Sequence, residues 1–452
     1  MANILVIRLS AIGDVAMTVP VIYSAAKANP TDSFTVLTQA FLIPVFINRP
    51  KNVNVIGINT KSKEKTLAGL LRFASALVKY DFDMVLDLHD VLRTMIIRTL
   101  FRLNGRRVFF VDKARKDRAR LTDAKHKRFK QLRPVIERYA DVFRNAGLHY
   151  TESFTSLYET STPDLSALEP LAGTKTGKWI GIAPFAKHRG KIYPTGEMEL
   201  VMAELSDRED FTIFLFGGRG YEEALLDQWA FEYPRVKSVA GKYSLDQELA
   251  LISRLDLLIC MDSANMHFAS LVGTRVLSVW GATHPYAGFY GYHQDPEDCI
   301  QLDLPCRPCS VFGQKPCLRK DWACLRQLNP DLIINTVYQE GDSISLDIQF
   351  HTIYLKNLDL IPRLINRFSL FRKYTRYTPY KILESPVRRV NDLLHPKPFH
   401  LKRLIPCRPC SVFGQKPCLR KDWACMRQLN PDLIINKVLT SLNEMVSDEG
   451  GH

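Results

Sequence analysis

The sequence predicts an α/β protein built from two successive Rossmann-like units, and three features predict it. Short apolar runs alternate with helical stretches from Asn3 to residue 146. A polar segment at 159–178, punctuated by Pro163, Pro170, Gly173 and Gly177, then breaks the pattern. The alternation restarts at Trp179 and runs to Val279. Apolar strands separated by helices read as parallel sheets covered on both faces, and a linker between two such runs reads as a boundary.

The first strand is residues 3–9 (Asn-Ile-Leu-Val-Ile-Arg-Leu). The tight turn Ser10-Ala11-Ile12-Gly13-Asp14 follows. Residues 15–28 then read as a helix, with Asp14 near its start and Pro30 just past its end. Further strands fit 33–38, 53–58, 83–88 and 106–111, and helices fit 63–79, 90–102 and 132–146. In the second unit, strands fit Trp179–Ala183, Phe211–Phe216, Val236–Val239, Leu257–Met261 and Arg275–Val279. Its helices fit 195–206, 220–232, 245–254 and 264–272. The expected organisation is an N-terminal domain over 1–170, a C-terminal domain over 177–337, a basic insertion over 338–405, and a last segment over 406–452. Ligands in such proteins bind in the cleft at the carboxyl ends of the strands.

At 452 residues, 46% apolar and 24% charged, the composition excludes disordered and collagen-like chains. No apolar run reaches the roughly 18 residues that cross a bilayer, and no basic stretch precedes the apolar start, so an unexported, soluble protein is expected. The net charge of +14 is focused. Residues 98–138 hold 15 Lys/Arg against 4 Asp/Glu, and residues 351–405 hold 12 against 3. Each segment reads either as a solvated basic face or as a contact for a polyanion such as a phosphorylated glycan or anionic lipid. Nucleic acid is not expected, because no recognised binding module is present.

The C-terminal third carries a duplication. Residues 305–335 recur at 406–436 with one change, Leu325 to Met426. Identity at exposed positions is more than a structural repeat requires, and points to a recent duplication or fusion. Each copy holds four cysteines: Cys306, Cys309, Cys317 and Cys324, then Cys407, Cys410, Cys418 and Cys425. Three readings stay open for each set: zinc ligands, reduced structural thiols, or redox-linked pairs.

Four loops could do chemistry. Asp14, beside Gly13 on the first turn, could take a proton from a hydroxyl, or could cap the helix. Residues 183–194 follow a strand and carry Lys187, His188, Arg189 and Lys191, which suit a diphosphate or a plain exposed loop. Residues 260–267 (Cys-Met-Asp-Ser-Ala-Asn-Met-His) join a strand to a helix whose free amides could hold an anion. There Asp262 could instead be a cap, and His267 a core histidine. Residues 216–223 (Phe-Gly-Gly-Arg-Gly-Tyr-Glu-Glu) form a glycine turn beside carboxylates that could accept from a ribose. The dinucleotide fingerprint G-x-G-x-x-G is absent after the first strand, which argues against a nicotinamide oxidoreductase.

Together these segments resemble glycosyltransferase family 9, the heptosyltransferases of lipopolysaccharide core synthesis. The family's R-x-S-x-x-G-D turn matches Arg8, Ser10, Gly13 and Asp14. K-x-W-P matches Lys191 and Pro194, with Tyr193 for Trp. D-[ST]-G-x-x-H matches Asp262, Ser263 and His267, with Ala264 for Gly. G-x-T-x-P matches Gly281, Thr283 and Pro285. The resemblance covers residues 3–335. It implies a GT-B fold, in which two Rossmann-like domains face across a cleft. The acceptor would lie on the N-terminal domain at Arg8, Ser10 and Gly13, and the nucleotide sugar on the C-terminal one at Lys191, Glu222, Asp262, Ser263, Ala264, Asn265, His267 and Thr283. It implies Asp14 as general base in an inverting reaction that needs neither metal nor cofactor. It implies ADP-heptose as donor and an anionic glycolipid of the Kdo–lipid A type as acceptor. The enzyme would then sit peripherally on the cytoplasmic face of the inner membrane.

Overall fold

A computed structural model describes residues 1–338; the expected insertion at 338–405 and the second cysteine copy lie essentially outside the described residues. Contacts gather the described residues into one compact unit.

The first half contains β1 (Asn3–Ile7), α1 (Ile12–Ala16), α2 (Val19–Ala28), β2 (Ser33–Gln39), β3 (Val53–Ile58), α3 (Leu67–Val78), β4 (Met84–Asp87), α4 (Leu92–Leu103), β5 (Arg107–Phe110), α5 (Arg115–Leu121), α6 (Val135–Asn145) and the single turn α7 (Glu169–Ala172). The second contains β6 (Lys178–Ala183), α8 (Thr195–Ser206), β7 (Phe211–Leu215), α9 (Tyr221–Glu232), β8 (Val236–Ser238), α10 (Leu245–Ile252), β9 (Leu257–Met261), α11 (Ala264–Val272), β10 (Val276–Trp280), β11 (Cys299–Gln301), α12 (Ala323–Arg326) and α13 (Pro330–Tyr338).

The strands form two all-parallel sheets, ordered β3-β2-β1-β4-β5 and β11-β10-β9-β6-β7-β8. Side chains alternate faces with period two. Ile4 and Val6 of β1 join a core that also holds Trp179 and Phe214 of the second half. Leu5 and Ile7 turn the other way, beneath α3 and α4. Ile180 and Ile182 likewise face a separate core under α8 and α13. Burial on both faces explains why these strands read as continuous apolar runs.

Two expected elements differ. The helix over 15–28 is broken into α1 and α2. Pro20 has no N–H to give the carbonyl of Ala16, so one continuous helix would lose that bond. The helix over 63–79 begins as a short tight turn at Lys63–Lys65 and becomes α-helical only after Thr66, whose hydroxyl accepts from the Gly69 amide at 3.1 Å. β11 and α5 are additional elements: a three-residue strand and a helix of mostly charged residues carry too little apolar periodicity to be read. No helix of the described residues is long and apolar enough to cross a membrane.

Candidate active site

In each sheet the strand order reverses once near its centre, between β1 and β4 and between β6 and β9. Loops diverge at such a point and leave a crevice. The loops after β1 and β4, with the first turn of α1, carry Arg8, Ser10, Asp14 and His89; those after β6 and β9, with the first turn of α11, carry Lys191 and Asp262–Asn265.

On the first side Arg8 is only 6% exposed. Its Nη1 donates to the Leu88 carbonyl at 2.7 Å, and its Nη2 pairs with Asp14 Oδ2 at 2.9 Å. Asp14 also accepts from the Ala11 amide at 3.2 Å. It therefore closes its own turn, as a cap would, and is also held toward the crevice by a buried guanidinium. The Leu9 amide donates to His89 Nδ1 at 3.4 Å, which leaves the imidazole proton on Nε2, 3.5 Å from Ser10 Oγ. Burial, reinforced by Arg8, Lys113 and Arg93, pushes His89 down to about 2 and keeps it neutral.

A cavity of about 480 Å³ opens against these residues. Arg8, Lys113, Arg115, Arg118, Arg138 and Lys315 line it, against Asp14 and Asp112. Arg8 Nε, Arg118 Nε, Arg138 Nη1 and the Tyr139 hydroxyl are buried without a hydrogen-bond partner. Burial, with Arg138 nearby, lowers Arg118 to about 10. Partly desolvated cations with unsatisfied N–H groups make the cavity a receptor for anionic groups. A carboxylate chain fixes its rim: fully buried Asp87 holds Arg98 at 2.9 Å, Arg98 holds Asp90 at 3.1 Å, and Asp90 holds Arg115 at 2.6 Å.

On the second side Lys191 Nζ pairs with Asp262 Oδ2 at 2.8 Å, and the Thr283 hydroxyl donates to the same oxygen at 2.7 Å. Asp262 thus orients the lysine rather than capping α11. Ser263 stands at the N-cap of α11 without a side-chain cap bond, so the first amides of the helix keep no intrahelical acceptor. Ser263 Oγ is itself buried and unpartnered. Glu222, expected to meet a ribose, accepts from the Gly218 amide at 2.6 Å, and Glu223 accepts from Gly220 at 3.2 Å. Both carboxylates at present organise their own turn. Arg307, unremarked in the sequence, underlies this side. It is 3% exposed and donates to the carbonyls of Gly281, Trp280, Thr283 and Leu302 and to Gln301 Oε1. Arg307→Met strands those acceptors and is expected to cost on the order of 3 kcal/mol or more of stability. A urea midpoint within error of wild type would show the bonds to be dispensable.

The two sides meet where α1 packs on α11. A Cβ on Gly13 would stand 2.6 Å from His267 Cδ2 and 3.5 Å from the Ala264 Cα, so only glycine fits there. Burial lowers His267 to about 4, although the Asp262 and Asp14 carboxylates favour its charged form and Lys191 opposes it. One imidazole thus lies within electrostatic reach of Asp14 on one side and of Lys191 and Asp262 on the other. Its Nδ1 is buried without a partner.

These depressed histidines fix a pH dependence. The unfolded chain binds protons below about pH 6.5 while the native histidines do not, so stability falls as pH drops. Each histidine is expected to remove about 1.4 kcal/mol per pH unit, His267 between about 6.5 and 4. Urea midpoints measured from pH 7 to 5 should decline, with a shallower slope in His267→Asn. An identical slope in the variant would mean that His267 is charged in the native state.

The first cysteine set consists of free thiols. Among the described residues no three His, Cys, Asp or Glu side chains are grouped to hold a metal ion. Cys317 Sγ accepts from the Trp322 amide at 3.3 Å, and burial pushes Cys324 up to about 12, which favours its thiol form. The sequence reading also passed over Asp81-Phe82-Asp83, a D-x-D triplet. It precedes β4 at the end of the sheet away from the crevice, where Asp81 pairs with Arg106 and Asp83 accepts from the Asn3 amide. Among the missed cavity residues, Arg118 had only the basic segment 98–138 as its signal, and His89, Tyr139 and Lys315 lie outside that segment and had none.

Residues 70–317 match the sequence profile described as glycosyltransferase family 9 (heptosyltransferase). The chain is 26% identical over 281 residues to lipopolysaccharide heptosyltransferase 3 of Escherichia coli, covering 60% of this chain and 81% of that protein. It is 25% identical over 170 residues to lipooligosaccharide heptosyltransferase 2 of Campylobacter jejuni, covering 36% and 51%. Among solved structures it resembles a family 9 glycosyltransferase of Veillonella parvula, with TM-score 0.58, 17% identity, and 75% and 96% of the two chains covered. It also resembles the Escherichia coli heptosyltransferase WaaC with ADP-2-deoxy-2-fluoro heptose, with TM-score 0.55, 19% identity, and 75% and 99% covered.

Proposed function

Since this chain belongs to glycosyltransferase family 9, the heptosyltransferases, and has the GT-B fold, we propose that it moves a heptose from ADP-heptose to an anionic glycolipid of the lipopolysaccharide core, with inversion at the anomeric carbon. The observation that carries this reading is the meeting of Asp14 with the Lys191–Asp262 pair around His267, beside a cationic cavity.

The acceptor sugar fills that cavity, its phosphates or carboxylates paired with Arg115, Arg118, Arg138 and Lys315. Asp14, oriented by Arg8, takes the proton of the acceptor hydroxyl. The hydroxyl oxygen forms its bond to the anomeric carbon as the bond to the diphosphate oxygen breaks, and the electron pair leaves with ADP. Lys191 and the α11 amides at Ser263–Asn265 act where that negative charge grows. Asp262 and Thr283 hold Lys191 in place, and Glu222 turns from Gly218 to the ribose. No step calls on a metal. The two Rossmann-like halves divide the work, acceptor on 1–170 and donor on 177–337, and the enzyme works peripherally at the cytoplasmic membrane face.

The test is direct. Purified protein is supplied with ADP-heptose and, separately, other nucleotide sugars, with a Kdo–lipid A acceptor, and ADP release and product mass are measured. Turnover confined to ADP-heptose supports the reading. Turnover with another nucleotide sugar replaces the donor, and binding without turnover replaces the enzyme with a glycolipid-binding protein.

A further inference from the structure

Two consecutive helices of the first half, α3 and α4, cover the same face of the sheet. Leu70, Ala74 and Leu77 of α3 and Ile97 and Phe101 of α4 share one core with Leu5, Ile7 and Val85. Their outer faces therefore lie side by side. Neither helix contains an acidic residue across its 12 positions. Instead the outer faces present leucines: Leu67 is 61% exposed, Leu92 74% and Leu103 77%. Leu92 and Leu103 are eleven residues apart, three turns, and so stand on one side of α4. Leu67 and Leu71 are neighbours on α3. Arginines adjoin these leucines in the chain at Arg72, Arg93 and Arg102, all exposed. Singly exposed leucines need no explanation, but a row of them among cations with no carboxylate does.

We propose that this face of α3 and α4 docks the protein on an anionic lipid bilayer. The leucines enter the acyl boundary, and the arginines reach the headgroups with their stems along the apolar surface. The charge pattern selects this occupant: a second copy of the chain would bring the same cations against these. The face adjoins the acceptor cavity, since α4 starts just after Asp90, which holds Arg115 through its carboxylate and Lys113 through its carbonyl oxygen. A lipid-borne acceptor could then reach the cavity without leaving the membrane, a consequence that rests on the glycolipid reading above.

The full chain is sedimented with phosphatidylglycerol-containing vesicles and with pure phosphatidylcholine vesicles. Binding to the first, weakened by salt, is expected. The double variant Leu67→Ser, Leu92→Ser should lower the partition coefficient about tenfold or more. Arg72→Glu, Arg102→Glu should lower it about tenfold at low salt. Protection of both variants by ADP against thermal unfolding checks that fold and donor site are intact. Absence of anionic-vesicle binding in wild type overturns the proposal, as does unchanged binding in both double variants. Loss of self-association with vesicle binding intact would instead give the face to a second copy. If ADP neither protects nor is released, the transferase reading fails while the vesicle result stands on its own.

Discussion

Replacing Asp14 with Asn is expected to lower the transfer rate by about 10²–10⁴-fold, the usual contribution of a positioned general base. Asn keeps the shape and can still accept from Arg8 and from the Ala11 amide, as Asp14 does. What it loses is the capacity to hold a proton in the transition state. Asp14 belongs to the β1 turn, across the seam from Lys191, so ADP affinity should barely change. The measurement is the single-turnover rate at saturating donor, with ADP affinity by calorimetry. A folded variant turning over at the wild-type rate would end the assignment of Asp14.

Replacing Lys191 with Ala is expected to weaken ADP binding and to slow transfer by about 10²–10³-fold, the cost of removing one preorganised group from developing charge. The ammonium acts on the bound diphosphate and more strongly on the departing one, so both affinity and rate should fall. A structural cost accompanies this. Asp262 is 4% exposed and would keep only the Thr283 hydroxyl, which leaves a buried carboxylate without its cation. Breaking a pair this buried costs on the order of 3 kcal/mol, and the variant should melt lower. Lys191→Met, which keeps the apolar stem, separates lost packing from lost charge. Unchanged ADP affinity and rate in a folded variant would place Lys191 outside the donor site.

Much of this was legible before any coordinates. Asn3–Ile7 and Leu257–Met261 read as strands because both faces of each sheet are covered, and burial on two sides leaves an unbroken apolar run. The turns that follow them were legible as candidate sites because the carboxyl ends of parallel strands gather at one edge of a sheet, where diverging loops leave a crevice. The break at Pro20 was also present in the sequence, as a missing donor inside a helical pattern, and was passed over.

The sequence by itself determined the two-unit α/β order, the loops that carry Asp14, Lys191 and Asp262, and the focused basicity of 98–138. The tertiary structure alone decided what those groups do to one another. It set Asp262 on Lys191 and Thr283 instead of on its own helix, and closed α1 onto α11 so that Gly13 meets His267. It also gathered Arg118 and Arg138 from one half and Lys315 from the other around one cavity. The reason is physical. Periodicity records which face of an element is buried, a local and repeated constraint that every residue in the element helps to write. Pairing between loops depends on how two sheets approach, and it is written in single polar residues that carry no period at all.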